Sequence, residues 1–305
     1  MISELMLAIV PIALLIILGK CLKHFGVLAD AFWAPAEKLG YYVLLPALFI
    51  HGLATANLSA LPIASMASVL ILSTLLAAVV LVVLRPWMPV DGAAFTSVFQ
   101  GGVRFNNYVG VSAAVGLFGS SGMALSALVN AATVPTVNIL CVLVFSRFSQ
   151  QLTFSVRGVC KQLFTNPLLV ACVIGIVLQV THIGLPWVLT PLFKTLGQAS
   201  LPLGLLCVGA ALDFSAAKQW VMPVSIASLV KFVMMPLMTL GLGKYMGLTG
   251  VSLQTAILFQ ALPTASSAYI LARNLGGDAP LMAGIIAVQT LLAAIALPMV
   301  MWLLW

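Results

Sequence analysis

The sequence predicts an all-α polytopic membrane protein with ten transmembrane helices. We expect two inverted five-helix repeats in which helices four and nine are broken and cross each other. Three observations predict this class. The 305-residue chain is 63% hydrophobic and 6% charged, ten apolar runs follow one another along it, and short motifs recur in the same order in its two halves.

The composition excludes a soluble protein. A soluble domain carries about a quarter charged residues, so this chain cannot cover a surface that faces water, and lipid is its expected solvent. Each crossing needs about 20 apolar residues, which leaves room for about ten crossings with short loops and no soluble domain. The net charge of +7 comes from scattered single residues, so no nucleic-acid partner is predicted.

The apolar runs are bounded by glycine, proline and charged residues, which mark the ends of spans. Their approximate limits are 3–20, 39–56, 62–84, 93–118, 122–146, 165–182, 198–212, 220–243, 251–272 and 280–304. The second and seventh runs are short, and each contains an internal proline, Pro46 and Pro202 respectively.

Lysine and arginine are divided unevenly between alternate loops. One set of loops holds nine of them, and the other holds two, Lys194 and Lys244. Because the positive excess lies in the cytoplasm, we predict that the first set is cytoplasmic and that both termini lie outside, in the periplasm, of an inner-membrane protein. Arg104 and Lys231 fall within spans and belong to neither set.

The two halves of the chain repeat one another. The string LGYYVLLPALFIHGLA (39–54) resembles LGQASLPLGLLCVGAA (196–211), and three further short matches keep the same order. Because each half holds an odd number of spans, the halves must be inverted in the membrane, which is a transporter architecture. We therefore divide the chain into a first repeat (1–150), a cytoplasmic link (151–164) and a second, inverted repeat (165–305).

Spans four and nine carry helix breakers and polar residues at matching positions. We predict that Gly101-Gly102 breaks span four and that Pro263 breaks span nine. Irregular backbone at membrane depth lines a cavity or lies inside protein, so the two breaks predict the transport site. The predicted substrate-binding residues are Gln100, Arg104, Asn106, Asn107, Tyr108, Gln260, Thr264 and Ser267, and the supporting candidates are Asn130, Lys231 and Gln289.

Arg104 decides the expected class of ligand. An arginine at a bilayer centre costs about 2.5–3.5 kcal/mol, and no Asp or Glu lies in the middle of a span to neutralise it. Its planar guanidinium matches a carboxylate, which favours an anionic ligand over permanent pairing with carbonyl groups or reach to the interface. Two roles stay open for Lys231. Its side chain extends to the lipid interface, or it acts near the substrate.

The string GGVRFNNYVG (101–110), the ten-span plan and the Leu-Pro elements of spans two and seven resemble the auxin efflux carrier family over essentially the whole chain. The closer resemblance is to bacterial members associated with malonate and malate or lactate transport. The resemblance implies the fold of the bile-acid sodium symporters, with a mobile core (spans three to five and eight to ten) and a scaffold (spans one, two, six and seven). It implies that the crossing contains Arg104, Asn106, Tyr108 and Pro263.

The resemblance has one departure that bears on the substrate. The plant carriers of this family have a proline at each crossover, whereas span four has Gly101-Gly102 there. Auxin itself is therefore not implied as the substrate.

The predicted function is secondary transport of a small organic anion by alternating access, with a malonate-like carboxylate favoured. The alternatives are an efflux carrier for another weak acid, auxin-like or amphipathic, and a passive anion channel in which Arg104 selects the ion. The spans hold no His/Cys/Asp/Glu cluster, so neither an enzyme nor a metal site nor a cofactor is predicted.

Import of an anion would need a coupled cation. Each negative charge that enters a cell against 100 mV costs about 2.3 kcal/mol, and either Na⁺ or H⁺ would serve. The direction of transport and the assembly state are left open, with a homodimer as one candidate.

Overall fold

The structure is a computed structural model in which the regular elements are helices. It describes residues 2–56, 61–149, 158, 161, 164–214 and 220–304. This part of the chain contains no strand, so the prediction of an all-α fold is confirmed. Most of the predicted cytoplasmic link (151–164) lies outside the described residues.

The helices follow the apolar runs of the sequence. In chain order they are α1 (Ile2–His24), α2 (Asp30–Leu39), α3 (Leu45–Ala54), α4 (Ile63–Leu84), α5 (Gly92–Val103), α6 (Asn107–Phe148), α7 (Pro167–Val180), α8 (Leu189–Ala210), α9 (Val221–Leu229), α10 (Met235–Tyr245), α11 (Gly250–Gln260), α12 (Ser267–Leu275) and α13 (Ala279–Leu304). Two π-helical turns, Gly40–Leu44 and Val230–Met234, join α2 to α3 and α9 to α10.

Six helical segments of the described chain are long and apolar enough to cross a membrane. They are Leu7–His24, Ile63–Trp87, Gly92–Phe148, Leu189–Ala210, Val221–Tyr245 and Ala279–Leu303. The third has 57 residues and is interrupted twice, at residues 104–106 between α5 and α6 and at Gly119, whose φ of 58° and ψ of −133° lie outside the helical region. It therefore covers both the fourth and the fifth predicted spans.

The remaining predicted spans correspond to shorter helices or to different limits. Span six is α7, with 14 residues, and span nine is divided into α11 and α12. Span two is the end of a continuous run that begins at Asp30, and span seven begins earlier than predicted, at Leu189. Both extensions include polar residues that helices tolerate well, such as Lys38 and Lys194. A search for apolar runs excludes such residues, so it predicts shorter helices.

Acidic or amide side chains fix the starts of three helices. Oδ1 of Asp91 accepts a hydrogen bond from the Ala94 N–H at 2.7 Å and caps α5. Asn166 accepts from two N–H groups in the first turn of α7, and Asp278 accepts from the Leu281 N–H at 2.8 Å in α13. Each cap satisfies backbone donors that a helix start leaves unpaired.

The described chain forms two compact units. Unit 1 comprises residues 1–63, 108–131 and 163–211. In it α1 packs on α8, and α3 packs on both α7 and α8. Gly19 of α1 and Gly209 of α8 allow the first of these contacts, because a Cβ on either would collide with backbone of the other helix. Small residues permit this close approach between membrane helices.

Replacing Gly209 with alanine is expected to destabilise unit 1 by about 1–3 kcal/mol. The added methyl would meet the backbone oxygen of Ile16, which can give way only if α1 moves. The control is Gly241→Ala in α10, where no neighbouring atom lies within 4 Å of the new Cβ and alanine favours the helix by about 1 kcal/mol. Melting of the purified protein in detergent measures both, and equal melting temperatures would contradict the close packing of α1 on α8.

Unit 2 comprises residues 64–107, 132–162 and 212–305. Its centre is α5, in which every residue from Ala94 to Val103 is buried. The helix packs on α9 and α13, and its phenylalanines Phe95 and Phe99 join Phe145 in the hydrophobic core. A helix that is enclosed on all sides is expected to be apolar all round, so the polar residues of α5 are of functional interest.

The two units match the implied core and scaffold except over residues 108–131. Unit 1 contains spans one, two, six and seven, and unit 2 contains spans three, eight, nine and ten. Residues 108–131 of α6, which the resemblance assigned to the core, belong to unit 1. Their packing explains this, because the ring of Tyr108 lies directly over Gly204 and a Cβ on Gly116 would lie 3.1 Å from Cβ of Ala8.

Candidate functional site

Two helices of unit 2 are interrupted. Helix α5 ends at Val103 and α6 begins at Asn107, which leaves residues 104–106 non-helical. Helix α11 ends at Gln260 and α12 begins at Ser267, and Pro263 lies in the gap. Proline lacks the N–H that a helix requires, and its ring collides with the preceding turn, so it accounts for the second interruption.

The first interruption does not lie at the glycine pair. Gly101 and Gly102 are both helical residues of α5, and the prediction that they break span four is corrected. A Cβ on Gly101 would lie 2.7 Å from Cγ2 of Ile285 and 3.0 Å from Cβ of Ala227, and a Cβ on Gly102 would lie 2.7 Å from Cδ1 of Leu81. The glycines therefore allow α5 to pack closely on three helices, α13, α9 and α4.

The two interruptions are joined by hydrogen bonds. The Asn106 N–H donates to the carbonyl oxygen of Pro263 at 2.8 Å. Gln289 of α13 links both sides, because its Nε2 donates to the carbonyl oxygen of Gly101 at 3.0 Å and its Oε1 accepts from the Thr264 N–H at 3.0 Å. Backbone groups that the breaks leave without helical partners are thus satisfied inside the protein, as buried polar groups require.

The Thr264 hydroxyl adds to this network, which we call the crossing network (Gly101, Asn106, Pro263, Thr264 and Gln289). Its Oγ1 lies 2.9 Å from the carbonyl oxygen of Gly101 and 2.7 Å from Oε1 of Gln289. One hydroxyl proton serves one of these acceptors at a time. The network fixes the relative position of the two breaks through fully buried groups.

Arg104 occupies the first break, and the two side chains described beside its guanidinium, Asn138 and Cys141, are neutral. Its Nη1 donates to Oδ1 of Asn138 at 3.2 Å, and its Nε is buried without a partner. The guanidinium also lies beside the thiol of Cys141, one turn along α6 from Asn138. A carboxylate would pair with such a cation through charge-assisted hydrogen bonds, which neither neighbour supplies.

Gln260 ends α11 and is hydrogen-bonded to α4. Its Nε2 lies 2.9 Å from Oγ of Ser73, 3.0 Å from Oγ1 of Thr74 and 3.2 Å from the carbonyl oxygen of Leu70. The amide nitrogen is therefore occupied by contacts that attach the end of α11 to α4. Ser73 and Thr74 were not among the predicted site residues, although an adjacent Ser-Thr pair in the apolar span three is a visible signal.

Two further predicted residues of unit 2 carry polar atoms that are buried without a partner in the described chain. Gln100 is fully buried, and neither its Nε2 nor its Oε1 is hydrogen-bonded. Oδ1 of Asn107, at the start of α6, is also buried and unpaired. Native proteins seldom leave such groups unsatisfied, so these atoms are available to a bound molecule. Ser267, the first residue of α12, is partly buried.

Two predicted residues belong to unit 1. The hydroxyl oxygen of Tyr108 lies 2.7 Å from the position that a Cβ on Gly40 would take, so its side chain extends between helices of that unit. Nδ2 of Asn130 donates to the carbonyl oxygen of Ser126 at 2.9 Å.

The site combines one guanidinium, that of Arg104, with several amide and hydroxyl groups. The described residues contain no group of three or more His, Cys, Asp or Glu that could hold a metal ion. A guanidinium and amide groups of this kind are able to form charge-assisted hydrogen bonds with a carboxylate.

The chain is similar to known membrane transport proteins. A family model described as "Membrane transport protein" matches residues 4–301. An uncharacterized transporter of Methanothermobacter thermautotrophicus is 22% identical over 298 residues, which cover 95% of each chain. Both similarities extend across the two interrupted helices and the crossing network.

Proposed function

Because the chain belongs to the membrane transport protein family, which is the auxin efflux carrier family, we propose that it is a secondary transporter of a small organic anion. The family and the six apolar segments make it a multi-pass membrane protein. The favoured substrate is a malonate-like carboxylate, and the favoured location is the inner membrane with both termini in the periplasm.

The observation that carries the proposal is the Arg104 side chain. It lies in a broken helix, and its neighbours in the described chain are the neutral Asn138 and Cys141. A membrane protein that keeps an arginine at this depth without a carboxylate is expected to use the charge. A substrate carboxylate bound to the guanidinium would supply the missing counter-charge, and the unpaired amides of Gln100 and Asn107 would orient the rest of the molecule.

The interrupted helices support transport by alternating access. In this proposal the chain has ten spans in two inverted five-helix repeats, and the breaks in spans four and nine correspond to each other. Half-helices that end at one place present N–H and C=O dipoles to a substrate. The crossing network would keep this binding region rigid while it moves between the two sides of the membrane.

The test is counterflow of radiolabelled malonate in proteoliposomes. Vesicles loaded with unlabelled malonate should take up labelled malonate faster than empty vesicles, and the rate should saturate, because a carrier exchanges bound substrate across the membrane. Protein-free liposomes are the control. Flux that does not saturate and does not respond to internal malonate would indicate the anion channel instead, and counterflow of a different carboxylate alone would move the assignment to another weak acid.

A further inference from the structure

Lys231 is a second buried cation of unit 2. It lies in the π-helical turn Val230–Met234, its side chain is 0% exposed, and its Nζ has no hydrogen-bond partner among the described residues. Single π-helical turns inside α-helices are frequent at functional sites. The turn contacts α5 and α13, the helices that carry Gly101 and Gln289 of the crossing network.

The position of Lys231 along its helix excludes reach to the membrane surface. The apolar segment Val221–Tyr245 has 25 residues, and Lys231 is its eleventh, so about 15 Å of helix precede it. The hydrocarbon core is about 30 Å thick, which places the residue near mid-depth. Complete burial means that its ammonium group reaches neither lipid headgroups nor water in this conformation.

Close packing places the turn next to the crossing network. A Cβ on Gly102 would lie 3.2 Å from Cγ1 of Val230, the neighbour of Lys231, and a Cβ on Gly101 would lie 3.0 Å from Cβ of Ala227, four residues before it. The carbonyl oxygen of Gly101 accepts the hydrogen bond from Gln289. Lys231 is thus one helical turn from a residue that contacts the crossing network.

No fixed negative charge faces Lys231 from the elements packed against it. Within the described chain, α5, α9 and α13 contain no titratable side chain, Arg104 directly follows α5, and α10 has only Lys244 and Tyr245, at its far end. An ammonium ion that is enclosed without a counter-ion is strongly unfavourable, whereas a neutral amine is tolerated. A bound anion would reverse this preference.

We propose that Lys231 carries the proton that is co-transported with the anionic substrate. The inference rests on the proposed function and adds its coupling ion. The empty carrier holds Lys231 as a neutral amine. When an anion binds from one side, the amine takes one proton from water on that side, and the ammonium and the anion neutralise each other during the transition. On the other side the anion leaves, the ammonium returns its proton to water, and the carrier resets with Lys231 as a neutral amine.

The test uses the full-length protein in proteoliposomes, with radiolabelled malonate as the probe and the membrane potential held at zero. In the wild type, a gradient of about one pH unit, acidic outside, should concentrate malonate inside about tenfold. Lys231→Arg keeps a permanent charge and cannot release its proton. It should therefore retain counterflow within about threefold of the wild type but lose the accumulation.

The second variant is Lys231→Gln, which removes the proton site. Downhill malonate flux through it should move no protons, as measured with a pH-sensitive dye outside the vesicles, whereas the wild type should move about one per malonate. Accumulation by either variant at the wild-type level would overturn the proposal. Malonate accumulation by the wild type that is driven by a sodium gradient and not by the pH gradient would also overturn the proposal. Counterflow in that case would still support the proposed carrier function.

A measurement without substrate separates failure of this inference from failure of the proposed function. If malonate shows no counterflow, melting temperatures of the wild type and Lys231→Met in detergent still test the state of Lys231. An enclosed neutral amine takes up a proton on unfolding, so the wild type should lose more stability than Lys231→Met between about pH 9 and about pH 6. Equal losses in the two proteins would overturn the inference.

Discussion

Replacing Arg104 with alanine is expected to lower malonate counterflow by at least about a hundredfold. A hundredfold change corresponds to a free energy of about 2.8 kcal/mol. A hydrogen bond to a charged group contributes about 1.5–3 kcal/mol, and a bidentate guanidinium–carboxylate pair lies at the strong end. The fold should survive, since the side-chain contacts described for the guanidinium are with Asn138 and Cys141, both neutral residues of α6. Counterflow and melting temperature, measured on the same preparation, check both parts.

Two variants distinguish substrate binding from a structural role for Arg104. Arg104→Lys keeps the charge and loses the planar fork, so its counterflow should fall between those of the wild type and the alanine variant. Asn138→Ala removes the hydrogen-bond partner and keeps the guanidinium, and we expect a loss of only a few-fold. If Asn138→Ala were as inactive as Arg104→Ala, or if Arg104→Ala kept full counterflow, the guanidinium would be a structural group.

The sequence contained enough information to predict an all-helical chain and one of its two helix interruptions. Composition decided between water and lipid as the solvent, because 6% charged residues cannot cover a soluble surface. Pro263 marked a helix interruption correctly, because proline ends a helix for local reasons that do not depend on its neighbours. The predicted start of span seven, residue 198, was wrong, because α8 begins at Leu189 and continues through polar residues that an apolar-run criterion excludes.

The sequence alone does not show whether the pair Gly101-Gly102 breaks its helix or allows close helix packing. A glycine weakens a helix, but it also allows helices to approach closely. Which effect applies at Gly101 depends on Ala227 and Ile285, which lie more than 120 residues away in the chain and contact it only in the folded protein. The interruption instead begins at Arg104, which has extended φ and ψ of −77° and 156°. The local sequence contains no signal for this extended conformation.

The hydrogen-bond partners of the two buried glutamines, Gln260 and Gln289, also could not be predicted from the sequence. Gln260 and Gln289 were expected near the substrate because they are polar residues in apolar spans. Their partners are far away in sequence, with Gln260 and Ser73 separated by 187 positions and Gln289 and Gly101 by 188. A single sequence identifies a buried polar residue, but it does not say whether a ligand or a distant backbone carbonyl satisfies it.

Replacing Gln289 with leucine is expected to destabilise unit 2 by about 1–3 kcal/mol and to abolish malonate counterflow. Leucine fills a similar volume but leaves the buried Thr264 N–H without its acceptor and removes one donor from the carbonyl oxygen of Gly101. The two breaks would then be held together by the hydrogen bond from Asn106 to Pro263 and by the Thr264 hydroxyl.

Thr264→Val is the matched control for the glutamine. It removes the hydroxyl but keeps the backbone N–H bonded to Oε1 of Gln289 and keeps the bond from Gln289 to Gly101. We therefore expect a smaller loss of melting temperature and partial counterflow. The comparison tests whether Gln289 links the two breaks. Equal losses of melting temperature and counterflow in both variants would assign that role to the threonine hydroxyl. Normal counterflow in Gln289→Leu would show that transport does not depend on the crossing network.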